Sequence, residues 1–165
     1  MYCVIWNSHC GRMGVGGRGW SVIDILVMGR KMEAVIQYLS VDEAMEIHSS
    51  LVARYGGQDG VRDPGLLESL LYRPQTGHYR DVAEMAAALY EAVLVNRPFR
   101  EGNRRSAFFL ADVFLRMNGW QLKTDRAEVD TFLERLEKRG LVRYEYLLPG
   151  IRNAIRPQKP DFVIY

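Results

Sequence analysis

Cysteine is nearly absent: the 165 residues hold two, Cys3 and Cys10, both within the first ten positions. The body of the chain therefore has no thiol to cross-link or to bind zinc, which fits a reducing, cytoplasmic compartment. An excess of one charge is also lacking. Lys and Arg number 22 against 20 Asp and Glu, a formal net charge of +2, so the chain has neither the basic excess of a nucleic-acid binder nor an acidic tail. No apolar run is long enough to span a bilayer, and the first thirty residues lack the ordered basic start, apolar stretch and small-residue cleavage site of a secretory signal. No repeat or low-complexity block interrupts the chain. At this length, with 48% hydrophobic residues, the expectation is one sizeable core with appendages.

Three parts are expected: an irregular extension over 1–31, a folded domain over 32–148 and a tail over 149–165. The extension holds six of the 15 glycines, two of the 3 tryptophans and both cysteines, without a sustained helical or strand period. Regular patterning begins at Met32, so the segment reads either as an upstream extension from a start codon assigned too early or as a flexible arm.

From there the pattern is helical. Ser40 with Glu43 forms a capping box ahead of Ala44, Ile47, Leu51 and Val52, and Gly56-Gly57 stops the run. Asp63-Pro64 opens a short helix that ends before Pro74. Asp81 caps a segment from Val82 to about Asn96 in which Glu84 and Glu91 are the only charges, so that helix should be buried on nearly every side. A second buried helix runs from about Asn103 to Asn118, with Gly119 as its stop. Asp125 and Glu128 begin an amphipathic helix closed by Gly140. The tail from Pro149 is basic and proline-punctuated, with a short strand expected at Phe162 to Tyr165. The fold class is all-α: a bundle around two buried central helices.

Chemistry concentrates where those two helices meet, in Arg97-Pro98-Phe99-Arg100-Glu101-Gly102-Asn103-Arg104-Arg105. Arginines crowd a helix start whose dipole is already positive, an arrangement that calls for an anion. Free N–H groups of the first turn, close approach at Gly102, and the side chains of Asn103, Arg104 and Arg105 would form a phosphate cradle. Glu101 could hold a divalent cation that bridges phosphate oxygens. Phe99 and Pro98 read as the apolar anchor of the loop. The competing expectation is that the arginines pair with Glu84, Glu91 or Asp112. DNA binding is disfavoured, because the arginines surround a buried helix start and do not line an exposed helix face.

The segment resembles the Fic/Doc signature H-x-F-x-x-G-N-[KR]-R. The likeness extends through Ser106 to Phe114–Gly119, similar to the F-L-x-x-N-G that closes the family's central helix. Arg54-Tyr55-Gly56-Gly57 and Val61 through Ser69 resemble the death-on-curing branch in particular, and the likeness covers roughly Tyr38 to Gly140. It implies a Fic-type helical bundle that binds ATP with Mg2+ at the loop and helix start. In that family the motif histidine takes a proton from a target protein's hydroxyl as it attacks a phosphoryl group; most members transfer AMP, the death-on-curing branch phosphate. By position the resemblance gives Glu101 the metal, Gly102 and Asn103 the phosphate, and Arg104 and Arg105 charge stabilisation. It also implies a toxin whose target is a protein such as a translation factor, and whose antitoxin acts in trans, since the inhibitory Ser/Thr-x-x-x-Glu-Gly/Asn helix of other members has no counterpart here.

One position departs from the signature. Arg97 stands where the motif has histidine, and a guanidinium cannot accept a proton near neutrality. General base catalysis contributes typically about 10²–10⁴-fold, so binding should survive while turnover falls. Either a pseudoenzyme or an inactivating substitution would account for it. His48, in the first helix, reads as a packing or hydrogen-bonding residue, and His78 as a loop residue able to approach the site from above. Asp63 and Glu68 read as helix-start residues, and the loop before them would form the family's target-binding flap.

Overall fold

The computed structural model describes residues 35–124 and 126–158. The expectations for 1–31, for Asp125 as a helix start and for a strand at Phe162 to Tyr165 lie outside them. The compact unit that carries every element among the described residues begins at Ile36.

Caps set the first three helices. In α1, Val41–Tyr55, Ser40 Oγ accepts from the Glu43 amide and Glu43 Oε2 accepts from the Ser40 amide, so the capping box is reciprocal. In α2, Pro64–Tyr72, Asp63 Oδ1 accepts from the Leu66 amide at 3.0 Å and Pro64 fills the first turn, where no N–H is needed. A 3-10 turn, Arg73–Gln75, follows. Asp81 Oδ1 accepts from Glu84 N at 2.9 Å to start α3, Val82–Asn96.

Helix α3 is the centre of the described fold. Five alanines, Ala83, Ala86, Ala87, Ala88 and Ala92, are buried with Leu89, Val93 and Leu94, and these small side chains let its neighbours approach closely. It packs most extensively on α4, Asn103–Met117, which buries Ala107, Leu110, Ala111, Phe114 and Leu115. The two buried central helices expected from the sequence are these, and among the described residues the fold is helical apart from one short pair of strands.

After α4 the chain forms β1, Trp120–Leu122, then α5, Arg126–Lys138, α6, Tyr144–Ala154, and β2, Ile155–Pro157. The strands pair antiparallel, Trp120 opposite Pro157 and Leu122 opposite Ile155. Asn118, in the N-G that closes α4, donates from Nδ2 to the carbonyls of Phe114 and Gln37 and accepts from Gln37 N. It thereby fastens the segment before α1 to the core.

The sequence reading began the tail at Pro149, but α6 runs through that residue. Proline removes one helical hydrogen bond and crowds the preceding turn, and packing compensates: Leu147 and Ile151 are buried and α6 lies along α3. Charge holds the two ends. Glu91 Oε1 accepts from the Tyr144 amide at 2.9 Å, and Arg152 bridges Asp81 at 2.9 Å and Glu84 at 3.0 Å.

Candidate functional site

The six-residue junction between α3 and α4 is folded by its own side chains. Arg97 ends α3 in the left-handed region, φ 51°, and is the only non-glycine residue there among those described. Pro98 and Phe99 turn inward and are buried, Phe99 completely. Asn103 Oδ1 accepts from the Phe99 amide and its Nδ2 donates to the Phe99 carbonyl, both at 2.9 Å. The loop is thereby closed on the first residue of the next helix. Gly102, with φ 67°, starts α4 without any side-chain cap.

A flap between α1 and α2 lies against this loop. Val61 and Phe99 form an isolated antiparallel bridge, with Arg62 N donating to Pro98 O at 2.7 Å and Arg100 N to Gly60 O at 2.9 Å. Glu101 Oε2 accepts from the Gln58 amide at 2.8 Å. A Cβ on Gly57 would come within 3.2 Å of that same oxygen, a tight contact that Glu101 would have to yield to, and the φ of 123° there is one that residues with a side chain rarely adopt.

The cations divide. Arg97 and Arg100 are exposed, with no ion pair among the described residues. Arg104 pairs with Glu137 on α5. Arg105 turns the other way, donating from Nη1 to the carbonyls of Gly56 at 3.3 Å and Leu51 at 3.4 Å, with its guanidinium 4.7 Å from the centre of the Tyr55 ring. Those carbonyls are the negative end of α1, and the ring face adds a cation–π contact.

The carboxylates expected to compete for these arginines are committed elsewhere. Glu84 holds Arg152, Glu91 pairs with Arg73 at 2.7 Å, and Asp112 pairs with Arg116 at 2.6 Å and accepts from the Leu122 amide at 2.8 Å. All three fasten helices and the strand to the core. Their use is structural, and the expected pairing with the loop arginines does not occur.

Three residues at the site left no local signal. Glu137 is 33 positions from Arg104, and Gln58 joins through its backbone. His48 lies on the buried stripe of α1 with Ala44 and Leu51, a spacing that marks burial and says nothing of what the face meets. Its ring stacks on Phe99, centroids 4.0 Å apart and planes at 13°. Its Nδ1 is 2.9 Å from Ser106 Oγ and its Nε2 3.6 Å from Asp59 Oδ1. Burial pushes its pKa below the usual histidine range; Asp59 opposes the shift and Arg105 reinforces it. His78 is exposed and contacts Thr76 in its own loop.

Chemically, the junction offers first-turn N–H groups without a side-chain cap, two exposed guanidinium groups on the same loop with no ion pair among the described residues, and a carboxylate with one oxygen held by the flap. Such a helix start binds phosphate-like anions. A cavity of about 190 Å³ lies elsewhere, lined by apolar residues of α3 to α6 such as Phe108, Phe132 and Ile151. It does not include the loop. Among the described residues no helix is long and apolar enough to cross a membrane.

Comparison with known proteins agrees with this geometry. The Fic/DOC family pattern matches residues 38–115, from the segment before α1 to near the end of α4. Over 91 residues the chain is 32% identical to the "Protein kinase doc" of Escherichia phage P1, covering 53% of this chain and 72% of that protein. Over 76 residues it is 40% identical to the "Toxin Doc" of Mycolicibacterium smegmatis (strain ATCC 700084 / mc(2)155), covering 43% of this chain and 58% of that one. The matching pattern, the Doc relatives and a loop folded on its own motif residues place this chain in the Fic/DOC family, on its Doc-like branch.

Proposed function

We propose that the protein is a Doc-like toxin that uses ATP and Mg2+ to transfer phosphate, or a nucleotidyl group, to a hydroxyl side chain of a target protein such as a translation factor. An antitoxin in trans restrains it, and Arg97 impairs its turnover. The observation that carries the reading is the start of α4, where Gly102 leaves the first-turn amides without a side-chain cap at the end of a loop whose Arg97 and Arg100 are exposed and make no ion pair among the described residues. The names of the two Doc relatives, a kinase and a toxin, support the reaction class.

In this reading the phosphates take the N–H groups of Asn103 and Arg104 and the guanidinium groups of Arg97 and Arg100. Arg104 would join them by leaving Glu137, an exposed pair that is inexpensive to open. Glu101 fits Mg2+, because one carboxylate oxygen is engaged by Gln58 N and the other remains for a cation that needs only one or two carboxylates beside substrate phosphates. When bound, the metal would neutralise charge on the transferred group. Asn103 holds the loop shape, and the flap offers its edge to the acceptor peptide.

In phosphate transfer the acceptor oxygen bonds to the γ-phosphorus, the bond to the ADP oxygen breaks and the hydroxyl proton must leave. Arg97 cannot take that proton. The same position favours a second reading, a binding module that holds nucleotide or antitoxin without turnover.

Two experiments decide between them. Arg97→His should arrest bacterial growth where the unaltered chain does not, and calorimetry should show Mg·ATP binding to both. Harmless variants that modify no protein would remove the toxin reading; binding without turnover in both would favour the module; no binding would remove both.

A further inference from the structure

His48 has no part in the chemistry above, yet its ring meets three pieces of the site. One face lies on Phe99 of the loop. Nδ1 is bonded to Ser106 in the first turn and a half of α4, and Cε1 is 3.9 Å from where a Cβ on Gly102 would sit. Nε2 faces Asp59 of the flap at 3.6 Å. That nitrogen is fully buried and has no hydrogen-bond partner among the described residues.

A buried nitrogen left idle costs its full desolvation, and a leucine or phenylalanine would stack on Phe99 without that cost. The missing partner is close. Asp59 Oδ1 is already fixed by the Gly60 amide at 2.7 Å and Ser49 Oγ at 3.1 Å, and a flap movement of less than about 1 Å would bring it within hydrogen-bond range of Nε2. Its carboxylate favours a proton on Nε2, and Ser106 then donates to Nδ1. Arg105 on α4 is the other charge facing the ring, and it discourages a second proton.

We propose that His48 is a positioning residue: its ring fixes the motif loop through Phe99 and Ser106, and its Nε2–H latches the flap through Asp59 when the flap closes on the loop. The latch acts on the acceptor side. Asn103 holds the phosphate-binding turn independently, whereas the bonds that join flap to loop, from Arg62 N to Pro98 O and from Arg100 N to Gly60 O, lie next to Asp59 in the chain. The relevance to transfer rests on the functional reading above; the latch itself does not.

The test uses the full chain. Ring nitrogen shifts should show neutral His48 protonated on Nε2 at neutral pH, and the Arg62 and Arg100 amides should exchange faster in Asp59→Ala than in the unaltered chain. His48→Gln, which can place a donor near Nε2, should keep protection that His48→Asn loses, and Ser49→Ala, which removes one of the two bonds that hold Asp59 Oδ1, should lose part of it. In Arg97→His protein, Asp59→Ala should lower the transfer rate by about 10- to 100-fold while Mg·ATP affinity stays within about twofold. A proton on Nδ1, or equal exchange in all four variants, overturns the latch. Inactive Arg97→His protein removes the functional reading and leaves the tautomer and exchange results to decide the latch.

Discussion

Asn103 and Phe99 exchange two hydrogen bonds of 2.9 Å, side-chain amide to backbone amide in both directions. The contact makes the loop a closed ring, since a donor and an acceptor on one side chain satisfy the donor and acceptor of one backbone residue. Asn103→Asp retains the acceptor and loses the donor. It should destabilise the fold by about 1–3 kcal/mol, the range for a buried polar group left unpaired. Asn103→Ala should cost at least as much, and denaturant unfolding checks both. A change within about 0.5 kcal/mol for Asn103→Ala would mean that the ring is not needed to hold Phe99.

The pairing of Arg104 with Glu137 sets a second expectation. Both side chains are 37% exposed, so the pair should contribute less than about 1 kcal/mol to stability. Glu137→Gln should therefore melt near the unaltered protein while freeing Arg104 for phosphate. Calorimetry should find Mg·ATP bound about three- to tenfold more tightly. Unchanged affinity would remove Arg104 from the phosphate-binding set.

Local chemistry made most of the fold legible. Ser40, Asp63 and Asp81 cap the helices they were expected to cap, and each closes its bond within three residues. Gly102 and Asn103 were expected to hold phosphate, and the structure shows the Asn103 side chain closing the loop on Phe99, a local contact that the motif alone did not reveal. What else escaped was non-local or irregular. Tyr144, Leu147, Leu148 and Ile151 have helical spacing, but Pro149 sits among them and argues for a break. The two strands are three residues each, too short for alternation to register. His48 meets Ser106 across 58 positions, a contact that exists only once α1 has packed on α4.

The buried imidazole of His48 also makes stability depend on pH. Its folded pKa lies below the ordinary 6.5 because burial outweighs the attraction of Asp59. The unfolded chain therefore takes up the proton first as pH falls. The full contribution is present above about pH 6.5 and is lost progressively as the pH drops toward the folded value. The slope for this one group cannot exceed about 1.4 kcal/mol per pH unit. Denaturant titrations should show the decline in the unaltered chain and a shallower one in His48→Gln. Equal slopes would place the pH dependence in other groups.

Arg97 joins conformation to chemistry in one residue. Its φ of 51° and ψ of 62° put a side chain with a Cβ in the region that glycine adopts freely and that asparagine and histidine tolerate better than most. Arg97→Gly should raise stability by about 1 kcal/mol, with Arg97→Asn and Arg97→His intermediate. Of these only histidine supplies a proton acceptor of suitable pKa. Melting temperature and growth arrest should therefore separate: all three variants melt higher, and Arg97→His alone arrests growth. If Arg97→Asn arrests growth as strongly, relief of the loop backbone and not a restored base is what the site requires.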